Sequence, residues 1–292
     1  MENQMTWEET ILKLRRDPAY SQIIFDSYLT ADLQDNLNRF RNSEEFQETL
    51  KLLQNLPGRK NSLLDLGSGN GISACAFAME GYTVTAAEPD KSDETGTGAV
   101  EKLKNSLGIS RLDVVNASGE MLPFDDDRFD IIHTRQCLHH AADLGKFVSE
   151  CYRVLKKDGY MLNLRDHVIF NDTDKKDFLD SHPFHKFYGG ENAYTLAEYT
   201  STLKAAGFKI VKVYTYWESA INHSPHKKHD TKTMETELDF QLNAAFRKKS
   251  PNQARFKFLN NLYRQINRLR FGSAKDERRI PGRMYSFISI KN

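Results

Sequence analysis

Short apolar runs alternate with longer amphipathic stretches through the middle of the chain. Residues 63–66 and 82–87 are apolar runs of strand length, and each is followed by a helix-length stretch. This alternation is typical of parallel strands joined by crossover helices. It continues to residue 216 and predicts an α/β fold built from successive βαβ units, with further strands at 131–134, 160–164 and 208–216.

Helical periodicity dominates on either side of this alternating region. The first 57 residues carry apolar residues at helical spacing, and Asn42 followed by Glu45 predicts the start of the last helix there. After residue 217, two apolar stripes of helical spacing, 234–245 and 259–269, precede a strand-like run. The pattern divides the chain into three parts, 1–57, 58–216 and 217–292, the last of which ends in a strand at 284–290.

A glycine-rich turn follows the first predicted strand. Gly67, Gly69 and Gly71 alternate with small polar residues behind Asp65, and an apolar helix-like run begins at Ile72. Glycine permits positive φ and lets a ligand lie directly against the backbone, so the turn predicts a nucleotide-like cofactor. A dinucleotide fingerprint would need glycine where Ile72 stands, which disfavours that class of cofactor.

Two acidic residues accompany the turn. Glu88 lies 21 residues after Gly67, at a strand end where a carboxylate can accept hydrogen bonds from both ribose hydroxyls. A dinucleotide fold places an acid at the same point, so Glu88 alone does not separate the two cofactor classes. Asp65 lies within the first apolar run. Because a carboxylate is rarely buried without partners, we expect Asp65 to order the turn and to contact the cofactor's amino group.

Three further motifs follow in order: Asn116–Phe124 (NASGEMLPF), the pair Phe129–Asp130, and Arg135–His140 (RQCLHH). With the glycine turn, over about residues 60–215, they resemble class I S-adenosylmethionine-dependent methyltransferases of the ubiquinone-biosynthesis and sugar O-methyltransferase branch. The resemblance implies a Rossmann-like, doubly wound, seven-stranded sheet whose last strand inserts antiparallel between the fifth and sixth. It also implies an N-terminal helical cap over residues 1–57 and a helical insertion before the last strand.

The same resemblance implies S-adenosyl-L-methionine as the cofactor. Ser118 stands where the family usually has the aspartate that bonds the adenine amino group. Arg135 stands near the position where amino-methylating enzymes of DNA and protein carry the asparagine of N-P-P-Y, which argues against nucleobase or glutamine amide methylation. The residues assigned to cofactor binding are Asp65, Gly67, Ser68, Gly69, Glu88, Pro89, Ser118, Gly119, Glu120 and Arg135.

Two groups of residues are candidates for contact with the molecule that accepts the methyl group. His139 and His140 follow the fourth strand, which faces the methyl group in this family, and Asp166 at the end of the fifth strand could orient one of them. We assign these three as catalytic residues that handle the acceptor's proton. Residues 166–194 are a predicted substrate loop at the carboxyl edge of the sheet. Its candidate substrate residues are His167, His182, His185, Tyr188, Glu191 and Asn192.

The net charge of +1 conceals a division of charge along the chain. Residues 241–292 hold 13 Lys and Arg against 2 acids, and the first 240 residues hold 28 against 38. A basic segment can meet an anionic small molecule, nucleic acid or the acidic body of its own chain. Lys257, Arg264 and Arg268 share one predicted helix face, so an anionic acceptor is one hypothesis, and RNA is the less favoured one.

No metal site is expected from the sequence. The three cysteines lack metal or disulfide spacing and are expected in core packing. His223, His226 and His229 are spaced by three, but Pro225 between them favours a solvated loop. No run of 18 apolar residues is present, so we expect no membrane span and a cytoplasmic location. The oligomeric state stays open.

The sequence thus predicts an S-adenosylmethionine-dependent methyltransferase that acts on a small molecule, with O-methylation favoured over N or C. An RNA methyltransferase that uses the basic C-terminal region is an alternative within enzymes. A non-catalytic regulator that binds the cofactor is the alternative from a different class.

Overall fold

Among the described residues, eight strands form one sheet. Their bounds are β1 Ser62–Leu66, β2 Thr83–Ala87, β3 Leu112–Val115, β4 Phe129–Arg135, β5 Leu155–Ile169, β6 Tyr194–Thr195, β7 Phe208–Tyr214 and β8 Met284–Lys291. The order is β3-β2-β1-β4-β5-β8-β7, and the two-residue β6 pairs with the end of β5 outside that order. The first five strands pair in parallel, whereas β8 is antiparallel to both neighbours. The predicted seven-stranded core with an antiparallel last strand is confirmed.

Helices flank this sheet along the whole described chain. Four precede β1: α1 Trp7–Arg15, α2 Ser21–Asp26, α3 Leu33–Arg41 and α4 Glu44–Gln54. The parallel strands are connected by α5 Ile72–Met79, α6 Thr97–Leu107 and α7 Leu144–Val154. After β5 come α8 Asp172–Ser181, α9 His185–Tyr188, α10 Leu196–Ala205 and α11 Ala220–His223.

This is a computed structural model, and it describes residues 5–58, 60–225, 277, 280 and 282–292. Met1–Pro225 and Gly282–Asn292 form one compact unit, so residues 1–57 and the last strand belong with the core. The helical stripes predicted at 234–245 and 259–269, with Lys257, Arg264 and Arg268, lie outside the described residues. Within those residues, no helix has the length and apolar character needed to cross a membrane.

Apolar side chains cover both faces of the sheet, as parallel strands with helices on either side require. On one face, Leu63 and Ile131 pack with α5 and with Phe40 and Phe46 of the N-terminal helices. On the other face, Ile132 belongs to a core cluster that includes residues of α7 and α10. Helices α3 and α4 are therefore part of the core packing, whereas residues of α1 and the turn after α2 border the cavity described below.

The start of α4 differs from the sequence prediction by one residue. Ser43 is the N-cap, and its Oγ accepts a hydrogen bond of 3.2 Å from the Phe46 backbone N–H. Asn42 instead ends α3. Glu45 does not reach back to a capping residue because its carboxylate turns inward to buried arginines.

Strand β5 is longer than predicted and includes the first residues of the predicted substrate loop. Arg165 adopts a positive φ of 61°, and the pairing with β8 shifts register between Asn163 and Asp166. The strand continues through this irregularity to Ile169, where it pairs with β6, and its Asp166 and His167 side chains contact His139 and the Gly282 carbonyl group. The described loop therefore starts after β5, and α8 and α9 occupy much of it.

A buried ion cluster ties α4 to the carboxyl ends of two central strands. Glu45, with only 2% of its side chain exposed, pairs with Arg135 at the end of β4 (Nη2 to Oε2, 3.1 Å) and with Arg165 of β5 (Nη1 to Oε2, 3.4 Å). Burial would raise the pKa of Glu45, but the two guanidinium groups outweigh it and hold this pKa below its ordinary value. The carboxylate is thus ionised and serves as the counter-ion of both arginines.

Replacing Glu45 by alanine should leave the buried Arg165 and the partly buried Arg135 without this counter-ion. We expect the free energy of unfolding to fall by about 3–5 kcal/mol in urea denaturation. Glu48→Ala on the same helix is the control, since Glu48 pairs only with exposed Lys51, and its cost should be about 0.5 kcal/mol or less. Equal, small losses in both variants would contradict the assigned role of the ion cluster.

Candidate active site

A cavity of about 640 Å³ opens at the carboxyl ends of β1, β2, β4 and β5. This edge of a doubly wound sheet is where ligands bind, and the volume lies within the usual range for small-molecule sites. Of the residues predicted from the sequence, the cavity is lined by Gly67, Ser68, Gly69, Glu88, Pro89, Ser118, Gly119, Glu120, Arg135, His139, His140, His167, His182, Tyr188 and Glu191.

The glycine turn forms one wall of the cavity with its backbone exposed to the interior. Gly69 has a φ of 52°, and a Cβ built there would find only the Thr95 carbonyl oxygen, at 3.9 Å, so the space above it is open. A Cβ on Gly67 would lie 2.3 Å from Cys137 Sγ. The turn therefore needs glycine at residue 67 for packing and offers bare backbone at residue 69 for a ligand.

Glu88 follows β2 and borders the same wall. Its Oε2 accepts a hydrogen bond of 2.9 Å from the Gly69 backbone N–H, and its Oε1 accepts one of 3.0 Å from the Asp90 backbone N–H. Burial raises the pKa of Glu88 to about 7, although these two hydrogen bonds act in the opposite direction. The carboxylate is thus held in one orientation, and each oxygen keeps a lone pair for a ligand's hydroxyl group.

Asp65 lies beneath the glycine turn and is not among the residues that line the cavity. Its Oδ2 accepts a hydrogen bond of 2.6 Å from Ser73 Oγ at the start of α5, and its Oδ1 lies 2.6 Å from His133 Nδ1. These partners join β1, β4 and α5 below the turn. Both oxygens are engaged inside the fold, so the predicted contact with an amino group of the cofactor stays a prediction.

The segment after β3 forms the opposite wall. The Ser118 hydroxyl donates to Glu120 Oε2, and Glu120 Oε1 accepts a hydrogen bond of 2.9 Å from the Ala142 backbone N–H. A Cβ on Gly119 would lie only 2.1 Å from the ring of Phe147. Glycine is required at residue 119 because this ring packs on its backbone and also lines the cavity.

His139 lies between two buried carboxylates. Its Nδ1 is 3.0 Å from Asp166 Oδ1, which also accepts the His139 backbone N–H, and its Nε2 is 3.5 Å from Glu191 Oε2. Burial would lower the pKa of His139, but Asp166 and Glu191 outweigh it and raise this pKa to about 9. Asp166 therefore orients the imidazole from below, and its own side chain is not part of the cavity lining.

His140 adjoins His139 but differs from it in charge. Its Nδ1 is 3.0 Å from the Gly190 carbonyl oxygen, so Nδ1 carries the proton and Nε2 is left as an acceptor. The enclosing cavity walls and the neighbouring His139 lower the pKa of His140 to about 4. About one third of its side chain (36%) is exposed, which leaves the neutral ring accessible.

Two further histidines extend this cluster. His167 of β5 has its Nδ1 2.8 Å from the Gly282 carbonyl oxygen, and burial lowers its pKa well below the ordinary value. His182 follows α8, and its Nδ1 lies 3.9 Å from Glu191 Oε1. The sequence grouped both with the substrate loop, and the structure brings both to the cavity.

Aromatic rings enclose this histidine-rich part of the cavity. Trp7 of α1 meets Phe184 edge-on with centroids 5.3 Å apart, and it meets Tyr188 of α9 at 5.4 Å. The sequence pattern predicts Tyr188 as a site residue but does not indicate Trp7, Phe184 or Phe147. Trp7 and Phe184 are far apart in the sequence, and no local pattern reports such a contact.

Two of the predicted substrate residues lie away from the cavity surface. His185 begins α9, and Asn192 precedes β6; neither is among the lining residues. The Asn192 side chain bonds to Tyr194 instead. A direct substrate contact by His185 or Asn192 stays a prediction that this geometry does not favour.

S-adenosylmethionine fits the donor set of the cavity. Its ribose hydroxyls match the Glu88 carboxylate, and bare backbone at Gly69 admits close approach. Ser68 Oγ is buried and lacks a hydrogen-bond partner among the described residues, which leaves a polar group for a ligand. The residues that would hold the group are thus Ser68, Gly69 and Glu88, with Ser118 and Gly119 on the opposite wall.

Comparisons with known proteins agree with this geometry. Residues 64–163 match a family described as Methyltransferase domain. The chain is 34% identical over 121 residues to the uncharacterized methyltransferase YcgJ of Bacillus subtilis, covering 41% of this chain and 46% of that protein. It is 32% identical over 134 residues to the ubiquinone/menaquinone biosynthesis C-methyltransferase UbiE of Vibrio vulnificus, covering 44% and 49%. The chain therefore spans about half the length of the curated relatives it matches.

The fold has solved counterparts as well. The crystal structure of YcgJ from Bacillus subtilis superposes with a TM-score of 0.52 at 22% identity, covering 84% of this chain and 99% of that one. At this identity the likeness concerns the fold alone. Together with the match at residues 64–163, this fold supports a class I S-adenosylmethionine-dependent methyltransferase domain in this part of the chain.

Proposed function

We propose that this protein is an S-adenosylmethionine-dependent methyltransferase that acts on a small molecule, with an oxygen atom as the favoured acceptor. One continuous cavity carries this proposal. The glycine turn and Glu88 line one part of it, and a cluster of histidines lines another part. A site that only stored the cofactor would not need titratable groups beside it. UbiE is named as a C-methyltransferase, so carbon is the alternative acceptor atom.

When bound, the cofactor supplies a methyl group activated by its sulfonium. Ser68, Gly69 and Glu88 bind and orient its nucleoside part. The aromatic wall of Trp7 and Phe184 limits access of water to the histidine-rich part. Alignment of two reactants in a closed site supplies much of the rate enhancement in such transfers.

His140 is the residue that we assign to the acceptor's proton. Its Nδ1–H donates to Gly190, and its Nε2, 3.8 Å from Glu191 Oε2, is left as an acceptor on a ring that borders the cavity. His139 is held between Asp166 and Glu191 and already carries a proton at neutral pH, so it cannot accept another. Asp166 acts on His139 rather than on the acceptor, and we assign it a positioning role.

The size of the cavity, about 640 Å³, also favours a small acceptor over RNA. The RNA methyltransferase alternative rests on the basic segment 241–292. Of this segment, the structure describes residues 277, 280 and 282–292. Two of its cations lie in the fold: Arg283 pairs with Asp174, and Lys291 pairs with Asp127. Both side chains therefore form ion pairs within the chain.

The direct test is transfer of a labelled methyl group from S-adenosylmethionine. The full chain is incubated with a panel of phenols, polyols and anionic metabolites, and in parallel with total RNA. We expect label in at least one small molecule and none in RNA. Label in RNA that is lost in an Arg264→Gln, Arg268→Gln double variant would favour the RNA methyltransferase. Cofactor binding without any transfer would favour the non-catalytic regulator.

Cofactor affinity should depend on pH through Glu88. The raised pKa of about 7 means that Glu88 is mainly protonated at pH 6 and ionised at pH 8. The ionised form accepts both ribose hydroxyls, so affinity for S-adenosylmethionine should rise by about tenfold between these pH values. Calorimetric titration at the two pH values measures this change in affinity. Glu88→Gln should bind more weakly and with a flat pH profile, and a flat profile in the wild type would contradict the assignment.

His140→Gln should lower turnover by about 10²–10⁴-fold, because general-base catalysis contributes by this order. The dissociation constant for S-adenosylmethionine should stay unchanged, since His140 is assigned to the acceptor. The matched control is His226→Gln, a histidine outside the described residues. Near-normal turnover in His140→Gln would leave proximity alone as the source of catalysis.

A further inference from the structure

His139, His167 and Glu191 offer three ligand atoms to a common point in the cavity. These atoms all lie within 4.8 Å of one another, and the three side chains are buried. They come from three separate segments: the turn after β4, strand β5, and the loop before β6. Among the described residues, this is the one cluster with a ligand set of this kind.

Both imidazoles are oriented as metal ligands usually are. Asp166 engages Nδ1 of His139 at 3.0 Å, and the Gly282 carbonyl oxygen engages Nδ1 of His167 at 2.8 Å. A ligating histidine typically donates its second N–H to a carboxylate or a backbone carbonyl, which fixes the ring and directs the other nitrogen to the metal. The fold thus directs Nε2 of His139 toward Glu191 and leaves Nε2 of His167 as the ring nitrogen that Gly282 does not engage.

The spacing of the cluster leaves room for an ion. His139 Nε2 and Glu191 Oε2 are 3.5 Å apart, which is longer than a good N–H···O hydrogen bond. Ligand atoms at about 2.1 Å from a tetrahedral zinc ion lie about 3.4 Å from each other. From separations of up to 4.8 Å, the ligand atoms must close by at most about 1.4 Å to reach this spacing. His182 Nδ1, buried and without a hydrogen-bond partner among the described residues, borders Glu191 as a further nitrogen.

We propose that His139 Nε2, His167 Nε2 and the Glu191 carboxylate bind a divalent transition metal ion. Two imidazoles and one carboxylate form a ligand set of zinc and non-haem iron sites, whereas magnesium prefers oxygen ligands. All three side chains line the cavity, so the remaining coordination positions face the acceptor. This departs from the sequence expectation of no metal.

A bound metal ion would also define the substrate class of the proposed methyltransferase. This step rests on the proposed function. A metal with open positions beside the methyl donor selects acceptors that offer neighbouring oxygen atoms, such as a vicinal diol or a hydroxy acid. Metal binding displaces the proton from His139 Nε2 to solvent, because the nitrogen must be unprotonated to bind. Binding should therefore release protons and weaken as the pH falls.

The test is calorimetric titration of the full chain, stripped with chelator, with Zn²⁺, Co²⁺ and Mg²⁺. We expect one site for Zn²⁺ and Co²⁺, much weaker Mg²⁺ binding, and a change in the visible absorption of Co²⁺. Glu191→Gln and His167→Gln should each weaken Zn²⁺ binding by at least about 100-fold. Asp166→Asn, which removes only the charge that orients His139, should weaken it by about 10–100-fold.

The control is the His226→Gln, His229→Gln double variant, which removes two histidines of the other candidate segment and should retain Zn²⁺ binding. Titration with S-adenosylmethionine in each variant checks that the fold is intact. If Glu191→Gln does not fold, His167→Gln alone tests the loss of a metal ligand. No Zn²⁺ binding by the wild type, or binding lost only in the double variant, would overturn the metal site. Failure of S-adenosylmethionine to bind the wild type would instead overturn the proposed function.

Discussion

A carboxylate removed from water without a partner costs several kcal/mol, and among the described residues the carboxyl edge of this sheet buries five of them: Glu45, Asp65, Glu88, Asp166 and Glu191. Asp65 is engaged by Ser73 and His133, Glu45 by Arg135 and Arg165, and Asp166 and Glu191 lie on either side of His139. Apart from the Asp65–Ser73 contact, each pairing joins elements that are distant in the sequence. The need to satisfy these charges therefore fixes how the strand ends, α4 and the loop before β6 meet, and the cavity is what remains between them.

The cavity divides into two chemically different parts as a result. Glu88 and the glycine turn present oriented acceptors and bare backbone, which suit the hydroxyls and the close approach of a nucleoside. The part around His139 and His140 holds one charged and one neutral imidazole, because Asp166 and Glu191 stabilise the charge on His139, whereas burial and the neighbouring charged His139 disfavour a charge on His140. Neighbouring residues of one motif thus serve different roles, and the difference comes from partners supplied by other segments.

The local pattern was sufficient for much of the fold. Apolar runs and the glycine turn predict the central strands and the cofactor wall, since both depend on short-range spacing. The start of α4 was predicted one residue early because Ser43 and Asn42 are both good caps, and only the inward turn of Glu45 decides between them. The length of β5 was underestimated because Arg165, Asp166 and His167 look like the end of a strand until their buried partners are known. Trp7, Phe184 and the second partner of His139, Glu191, come from distant segments, and spacing cannot report their contacts, whereas the contact of His139 with Asp166 was expected from the strand ends.

The central claim is that the glycine turn and Glu88 form a site for S-adenosylmethionine and not for a dinucleotide. Calorimetric titration of the full chain with S-adenosylmethionine and, separately, with NAD tests it most directly. The account predicts one saturable site for S-adenosylmethionine and no binding of NAD under the same conditions. Binding of NAD with no binding of S-adenosylmethionine would contradict it.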